Sequence, residues 1–168
     1  DLKEFRPTFF VGVPRIFDTI KKALLAKIPQ DGVKRAVFDR AFEDRKAAMA
    51  EGLETPYWNE KVFKNTREVL GGRVKCIASG AAPLSAQTQV FLEVVFGVSV
   101  LQGYGLTETC ACTTLQRMYD TRKESIGGLL SVVEVKLRDA DTWKHTNNPP
   151  QGELLIRGPV VTQGYYKQ

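Results

Sequence analysis

The residues with the clearest chemical potential lie in "QGYGLTE", Gln102 to Glu108. Gly103 and Gly105 leave the backbone on either side of Tyr104 bare, so this stretch can approach a flat group while Tyr104 lays its ring against a purine. Thr107 can donate to a phosphate oxygen, and Glu108 offers the hard oxygen that suits Mg2+. The same seven residues also suit a tight strand-to-helix turn with no ligand. They do not form a Walker loop, because no GxxxxGK[ST] string occurs in the sequence. Nor do they form a dinucleotide fingerprint, since Glu108 stands where G-x-G-x-x-G requires its third glycine.

Two further strings carry potential chemistry. In "SGAAPLS" the small residues Gly80, Ala81 and Ala82, followed by Pro83, let backbone N–H and C=O groups face the edge of a ligand. Taken alone it is equally a turn leading into a helix, with Ser85 as the N-cap. "GELLIRGPVVTQGYY" reads as two strands around Gly158-Pro159, with Arg157 exposed.

The elements that must position these strings are legible from periodicity. Residues 8–14, "TFFVGVP", are continuously apolar and predict a buried strand, and Pro14 sits where a helix can begin. Ile16, Phe17, Ile20, Leu24 and Ile28 then share one helical face. A second helix is predicted over 33–50, with Val33, Ala36, Val37, Ala41, Phe42 and Met49 as its stripe, and a third over 58–70, stopped by Gly71-Gly72. Val74, Cys76, Ile77 and Ala78 predict a short strand, "AQTQVFLEVVF" a helix ended by Gly97, and "VSVLQ" another strand. Short buried strands joined by long helical crossovers imply a parallel sheet flanked by helices, an α/β class. Both glycine-containing strings fall at the carboxyl ends of such strands, where ligands usually sit. After Gly128 the alternation of Val133, Val135, Leu137, Leu154 and Ile156 around Asn-Asn-Pro-Pro predicts a small antiparallel β subdomain. The expected organisation is therefore 1–128 as an α/β nucleotide- and acyl-binding subdomain and 129–168 as the start of a β-barrel subdomain, each partial.

Composition narrows the function classes. With 168 residues, 43% hydrophobic and 26% charged, the chain is ordinary for a globular protein. The net charge of +5 resides wholly in residues 1–75, whereas 76–168 are balanced. The basic residues alternate with acids along helical stretches such as "DRAFEDRKAAMAE", which argues against nucleic-acid binding and for a solvated face. A role for residues 15–75 at a membrane surface is the remaining use of that charge. No apolar run approaches the ~18 residues that span a bilayer, and the first residues lack the pattern of a secretory signal. Three cysteines, with Cys110 and Cys112 too close for a comfortable bridge, point to a reducing compartment.

Four strings in order, "PTFFVGVPRIFDTI", "LGGRVKCIASGAAPLS", "GYGLTET" and "GELLIRGPVVTQGYYK", resemble the adenylate-forming enzymes and, among them, the long-chain fatty-acid–CoA ligases. The resemblance covers essentially the whole sequence. It implies Gly80, Ala81, Ala82 and Pro83 against an adenine, with Gly103, Tyr104 and Gly105 completing the slot. Thr107 and Glu108 become the catalytic pair, Thr107 near the α-phosphate and Glu108 on Mg2+, while Val13 and the turn at 80–82 line an acyl tunnel. ATP/AMP, Mg2+ and coenzyme A are the implied cofactors and co-substrates, and a long-chain fatty acid the implied partner.

The family's phosphate loop, ribose-binding Thr-Gly-Asp, hinge and lysine-bearing mobile domain have no match here, so the sequence reads as a middle piece, inactive alone. An intracellular location is expected, cytoplasmic or peripherally membrane-associated. The alternatives are another acyl- or aryl-activating member of the superfamily, or a stand-alone nucleotide-binding module.

Overall fold

The computed structural model describes residues 2–118 and 120–167. A one-turn helix α1 (Leu2–Phe5) precedes β1 (Phe9–Gly12), and Pro14 opens α2 (Pro14–Leu25), where a missing N–H and fixed φ suit a first turn. Helices α3 (Gly32–Ala50), α4 (Pro56–Lys61) and α5 (Lys64–Glu68) come before β2 (Cys76–Ser79). Helix α6 (Ala86–Phe96) then leads to β3 (Ser99–Tyr104). Its start is capped as the sequence predicts, with Thr88 N–H donating to Ser85 Oγ at 3.2 Å. Its end is capped by Gly97 at φ 64°, a left-handed position that favours glycine. Short strands β4 (Thr114–Leu115) and β5 (Gly128–Leu129) and a final pair, β6 (Glu134–Arg138) and β7 (Glu153–Arg157), complete the chain.

Five strands form one sheet in the order β1-β2-β3-β4-β5. The first three are parallel, as their helical crossovers require, while β4 runs antiparallel to β3 because residues 105–113 reverse tightly, and β5 runs antiparallel to β4. The predicted parallel sheet therefore carries a short antiparallel margin. β6 and β7 pair separately and antiparallel. Among the described residues no helix is long and apolar enough to cross a membrane.

The core lies on one face of this sheet. Phe10, Ile77 and Val100 stand side by side across β1, β2 and β3 and pack with Phe17, Leu24, Leu92 and Val95 from α2 and α6. Burying each such large side chain contributes roughly 1.5–3 kcal/mol.

Four expectations change. The run in β1 is not buried throughout: it forms the sheet edge, so Phe10 packs inward while Phe9 and Val11, on the other face, are 54% and 63% exposed. Ile16, Val33 and Val37 of the predicted stripes are likewise exposed, whereas Arg45 of α3 is buried. The single helix predicted over 58–70 is two short ones, because the chain turns at Phe63 to set that ring fully inside, 5.9 Å from Phe38. Thr66 Oγ1 holds the turn, its one hydroxyl proton shared between the carbonyls of Phe63 at 2.7 Å and Val95 at 2.9 Å. Finally, only the first of the two strands predicted around Gly158-Pro159 forms, as β7.

Candidate nucleotide site

Ser79 and Gln102 are register partners at the ends of β2 and β3, so the loops that follow them leave the sheet together. Between them lies a cleft of about 650 Å3, walled by residues 81–85, 102–106 and 124–126. Ala81, Ala82, Pro83, Gly103, Tyr104 and Gly105 all line it. Gly80 does not, and instead ties the loop to the neighbouring strand by donating to the Gly12 carbonyl at 3.3 Å. Thr107 and Glu108 are exposed and stand just beyond the lining.

Three buried glutamines hold the walls in place. Gln102 Oε1 accepts from Leu84 N–H at 2.8 Å, which fixes the 81–85 loop to β3. Gln102 Nε2 donates to Gln89 Oε1 of α6 at 2.9 Å, and Gln89 Nε2 donates to the Val100 carbonyl and to Gln116 Oε1. Gln116 Oε1 also accepts from Gln102 N–H at 2.8 Å, and its Nε2 donates to the Arg122 carbonyl at 2.8 Å. Every side-chain amide in this set is partnered, which offsets its desolvation and links all three walls.

The two glycines have a second reason. A Cβ on Gly103 would lie 2.9 Å from the Thr114 carbonyl oxygen, and one on Gly105 would collide with the Ala111 carbonyl. The backbone that approaches them closely is therefore the chain's own return strand as well as anything in the cleft. Thr113, fully buried, clamps the same turn: its N–H and Oγ1 both donate to the Tyr104 carbonyl, at 2.8 and 2.9 Å. In the loop above β2, Ala81 sits at φ 69°, a left-handed conformation that costs about 1 kcal/mol or more for a residue with a Cβ.

Thr107–Thr109 form a single 3-10 turn. Thr109 is buried and structural, its Oγ1 accepting from Leu106 N–H at 2.9 Å. Glu108 is met by the segment after β7: Thr162 N–H donates to its carbonyl at 2.8 Å and Tyr165 Oη donates to Oε1 at 2.7 Å. That hydroxyl bond holds the Glu108 carboxyl below the usual range, so it is ionised at neutral pH. Among the described residues no group of three or more His, Cys, Asp or Glu could hold a metal. One carboxylate nevertheless fits Mg2+, which keeps several waters and commonly takes other ligands from phosphates.

Sequence reasoning missed the third wall and Tyr165. The 124–126 segment is pinned by the half-buried pair of Lys123 with Glu93 of α6 at 2.7 Å and by Gly127 at φ 79°, where a Cβ would run into the Leu115 backbone. Burial pushes the Glu93 carboxyl up, and Lys123 partly offsets this. No local signal in "TRKESIGG" announces a ligand wall, because its placement depends on partners outside the string, Gln116 six residues before Arg122 and Glu93 thirty residues before Lys123.

The family model described as "AMP-binding enzyme" matches residues 1–166. The chain belongs to that family. It is 37% identical over 173 residues to the peroxisomal long chain acyl-CoA synthetase 7 of Arabidopsis thaliana, covering 99% of this chain and 25% of that protein. It is 37% identical over 175 residues to fatty acyl-CoA synthetase B of Dictyostelium discoideum, covering 99% of this chain and 26% of that one. Among solved structures it is similar to the A domain of carboxylic acid reductase from Segniliparus rugosus in complex with AMP and a co-purified carboxylic acid. That likeness has a TM-score of 0.63 and 28% identity, covering 99% of this chain and 23% of the other. This AMP-binding family member thus spans about a quarter of the length of the curated relatives it matches.

Proposed function

We propose that this chain forms the adenine-side wall of an ATP-dependent long-chain fatty-acid–CoA ligase. The observation that carries the reading is the convergence of 81–85 and 102–106 on one cleft, with ionised Glu108 beside it. The relatives named as long chain and fatty acyl-CoA synthetases favour a fatty acid over other carboxylates. Residues 1–128 would form the nucleotide- and acyl-binding subdomain and 129–168 the start of the β-barrel.

The chemistry needs both steps of such an enzyme. A thiol cannot displace oxide from a carboxylate, so ATP first converts the acid to an acyl adenylate, whose AMP then leaves as coenzyme A takes the acyl group. In the first step two anions must meet. Ala81, Ala82 and Pro83 would face the adenine edge, with Gly80 anchoring their loop to β1 and Gly103, Tyr104 and Gly105 across from them, Thr107 would donate to the α-phosphate, and Glu108 would hold Mg2+, which supplies charge neutralisation there. None of the cleft-lining side chains is basic, so the cleft suits the nucleoside end of the nucleotide. ATP and coenzyme A as co-substrates go with an intracellular site of action, cytoplasmic or peripheral to a membrane.

The test is Glu108→Gln in the full-length gene product that carries this sequence, assayed with palmitate in each half-reaction. Adenylation falls by about 10² or more, while thioester formation from supplied palmitoyl adenylate falls much less. An unchanged adenylation rate across a magnesium titration removes Glu108 as the metal ligand. Preference for benzoate over palmitate replaces the fatty acid by an aryl acid. Calorimetry on the 168 residues gives an AMP dissociation constant of roughly millimolar or weaker; a micromolar value favours a stand-alone nucleotide-binding module.

A further inference from the structure

At the opposite end of the parallel strands, Arg45 of α3 is 3% exposed and its guanidinium lies 4.5 Å from the Phe63 ring. One amino group, Nη2, donates to Asn59 Oδ1. The other, Nη1, is buried with no hydrogen-bond partner among the described residues, and so is the hydroxyl of Thr55. Both residues line a pocket of about 290 Å3 that also takes in Arg67, Lys75 and Gly97. The lining holds three cationic side chains, Arg45, Arg67 and Lys75, against one carboxylate, Glu54. Gly97 is what lets Arg45 in, because a Cβ there would overlap the guanidinium.

Unpartnered buried donors and an incompletely compensated buried cation are costly, and such a cost is normally offset by a partner. Desolvation first and Arg67 second pull the Arg45 pKa down to about 10, with Glu54 only partly offsetting them, so it remains protonated at neutral pH with its charge incompletely balanced. A planar guanidinium with a free N–H, a free hydroxyl and two more cations nearby match the multiple oxygens and double negative charge of a phosphate group.

We infer that this pocket is a binding site for a phosphate-type oxyanion, held by Arg45 Nη1 and Thr55 Oγ1 with Arg67 and Lys75 beside it. The site is independent of the nucleotide reading, since it lies at the amino ends of β2 and β3, away from the cleft. Free phosphate and a lipid phosphate monoester are the two sources of that chemistry.

The experiment follows the amide resonances of Thr55 and Gly97 in the 168-residue protein during titration with inorganic phosphate at constant ionic strength, with chloride as the reference. Phosphate shifts these two saturably, with a dissociation constant of roughly millimolar or tighter, and leaves 102–106 unmoved. Arg67→Gln, at a half-buried position outside the cleft, weakens this binding about tenfold, and Thr55→Val weakens it several-fold. Vesicles containing phosphatidic acid, run in parallel, identify the source: binding that needs both vesicles and Arg67 assigns the site to a lipid headgroup. Equal shifts with chloride and phosphate and no vesicle binding, or phosphate binding indifferent to Arg67→Gln, overturn the proposal and leave Arg45 a structural cation satisfied by water.

Discussion

The two ends of the central parallel strands bury polarity in opposite ways. At the carboxyl ends, Gln89, Gln102 and Gln116 form a neutral set in which every side-chain amide has a partner. At the amino ends, Arg45 is buried as a cation with one N–H unmatched. Neutral amides that satisfy one another can be sealed in the interior at little net cost and so make rigid supports. A buried cation of this kind makes a poor support, because its desolvation is only partly returned by Asn59, the Phe63 ring and Glu54. The first arrangement suits a frame that fixes loop positions, and the second suits a group kept for what it binds.

That contrast can be broken by paired substitutions. Gln102→Leu leaves the Leu84 N–H and Gln89 Oε1 buried without partners, so urea unfolding should show a loss of about 3 kcal/mol, and the amide resonances of 81–85 should broaden. A loss below about 1 kcal/mol would mean that the glutamines do not hold the cleft. Arg45→Met removes the unmatched charge while keeping an extended apolar side chain against Phe63. Its cost in phosphate-free buffer should stay under about 1 kcal/mol, and the variant could come out more stable. A loss as large as that of Gln102→Leu would place Arg45 among the structural supports and erase the distinction.

A finer test concerns the wall between these two regions. Asp120, hydrogen-bonded first to the Arg122 guanidinium and then to its backbone, is held down to about 2 from an ordinary 3.8. A depressed carboxyl contributes stability above its ordinary value and loses it as pH falls through its folded value. The carboxyl resonance of Asp120 should therefore titrate near pH 2, and Arg122→Gln should return the midpoint towards 3.8. A wild-type midpoint already near 3.8 would show that the 120–127 loop is not held as described.

Local chemistry made much of this molecule readable in advance. Pro14, Ser85 and Gly97 mark helix ends because fixed φ, a side-chain acceptor and left-handed tolerance act within a few residues. Helical spacing placed Phe17 and Leu24 inward, and the strand-to-loop positions of "SGAAPLS" and "QGYGLTE" put both strings at one end of the sheet. Tertiary structure decided the rest. The edge position of β1 exposed Phe9 and Val11, the inward turn at Phe63 split a helix, and Arg45 took a stripe position among apolar residues. The 124–126 wall depends on the anchors of the residues just before it, Arg122 to Gln116 and Lys123 to Glu93, and Glu108 is reached by Tyr165 from 57 residues away. Periodicity reports which face of an element is apolar, but which neighbour covers that face, and which distant donor reaches a given carboxylate, follows only once the strands are ordered and the chain has closed on itself.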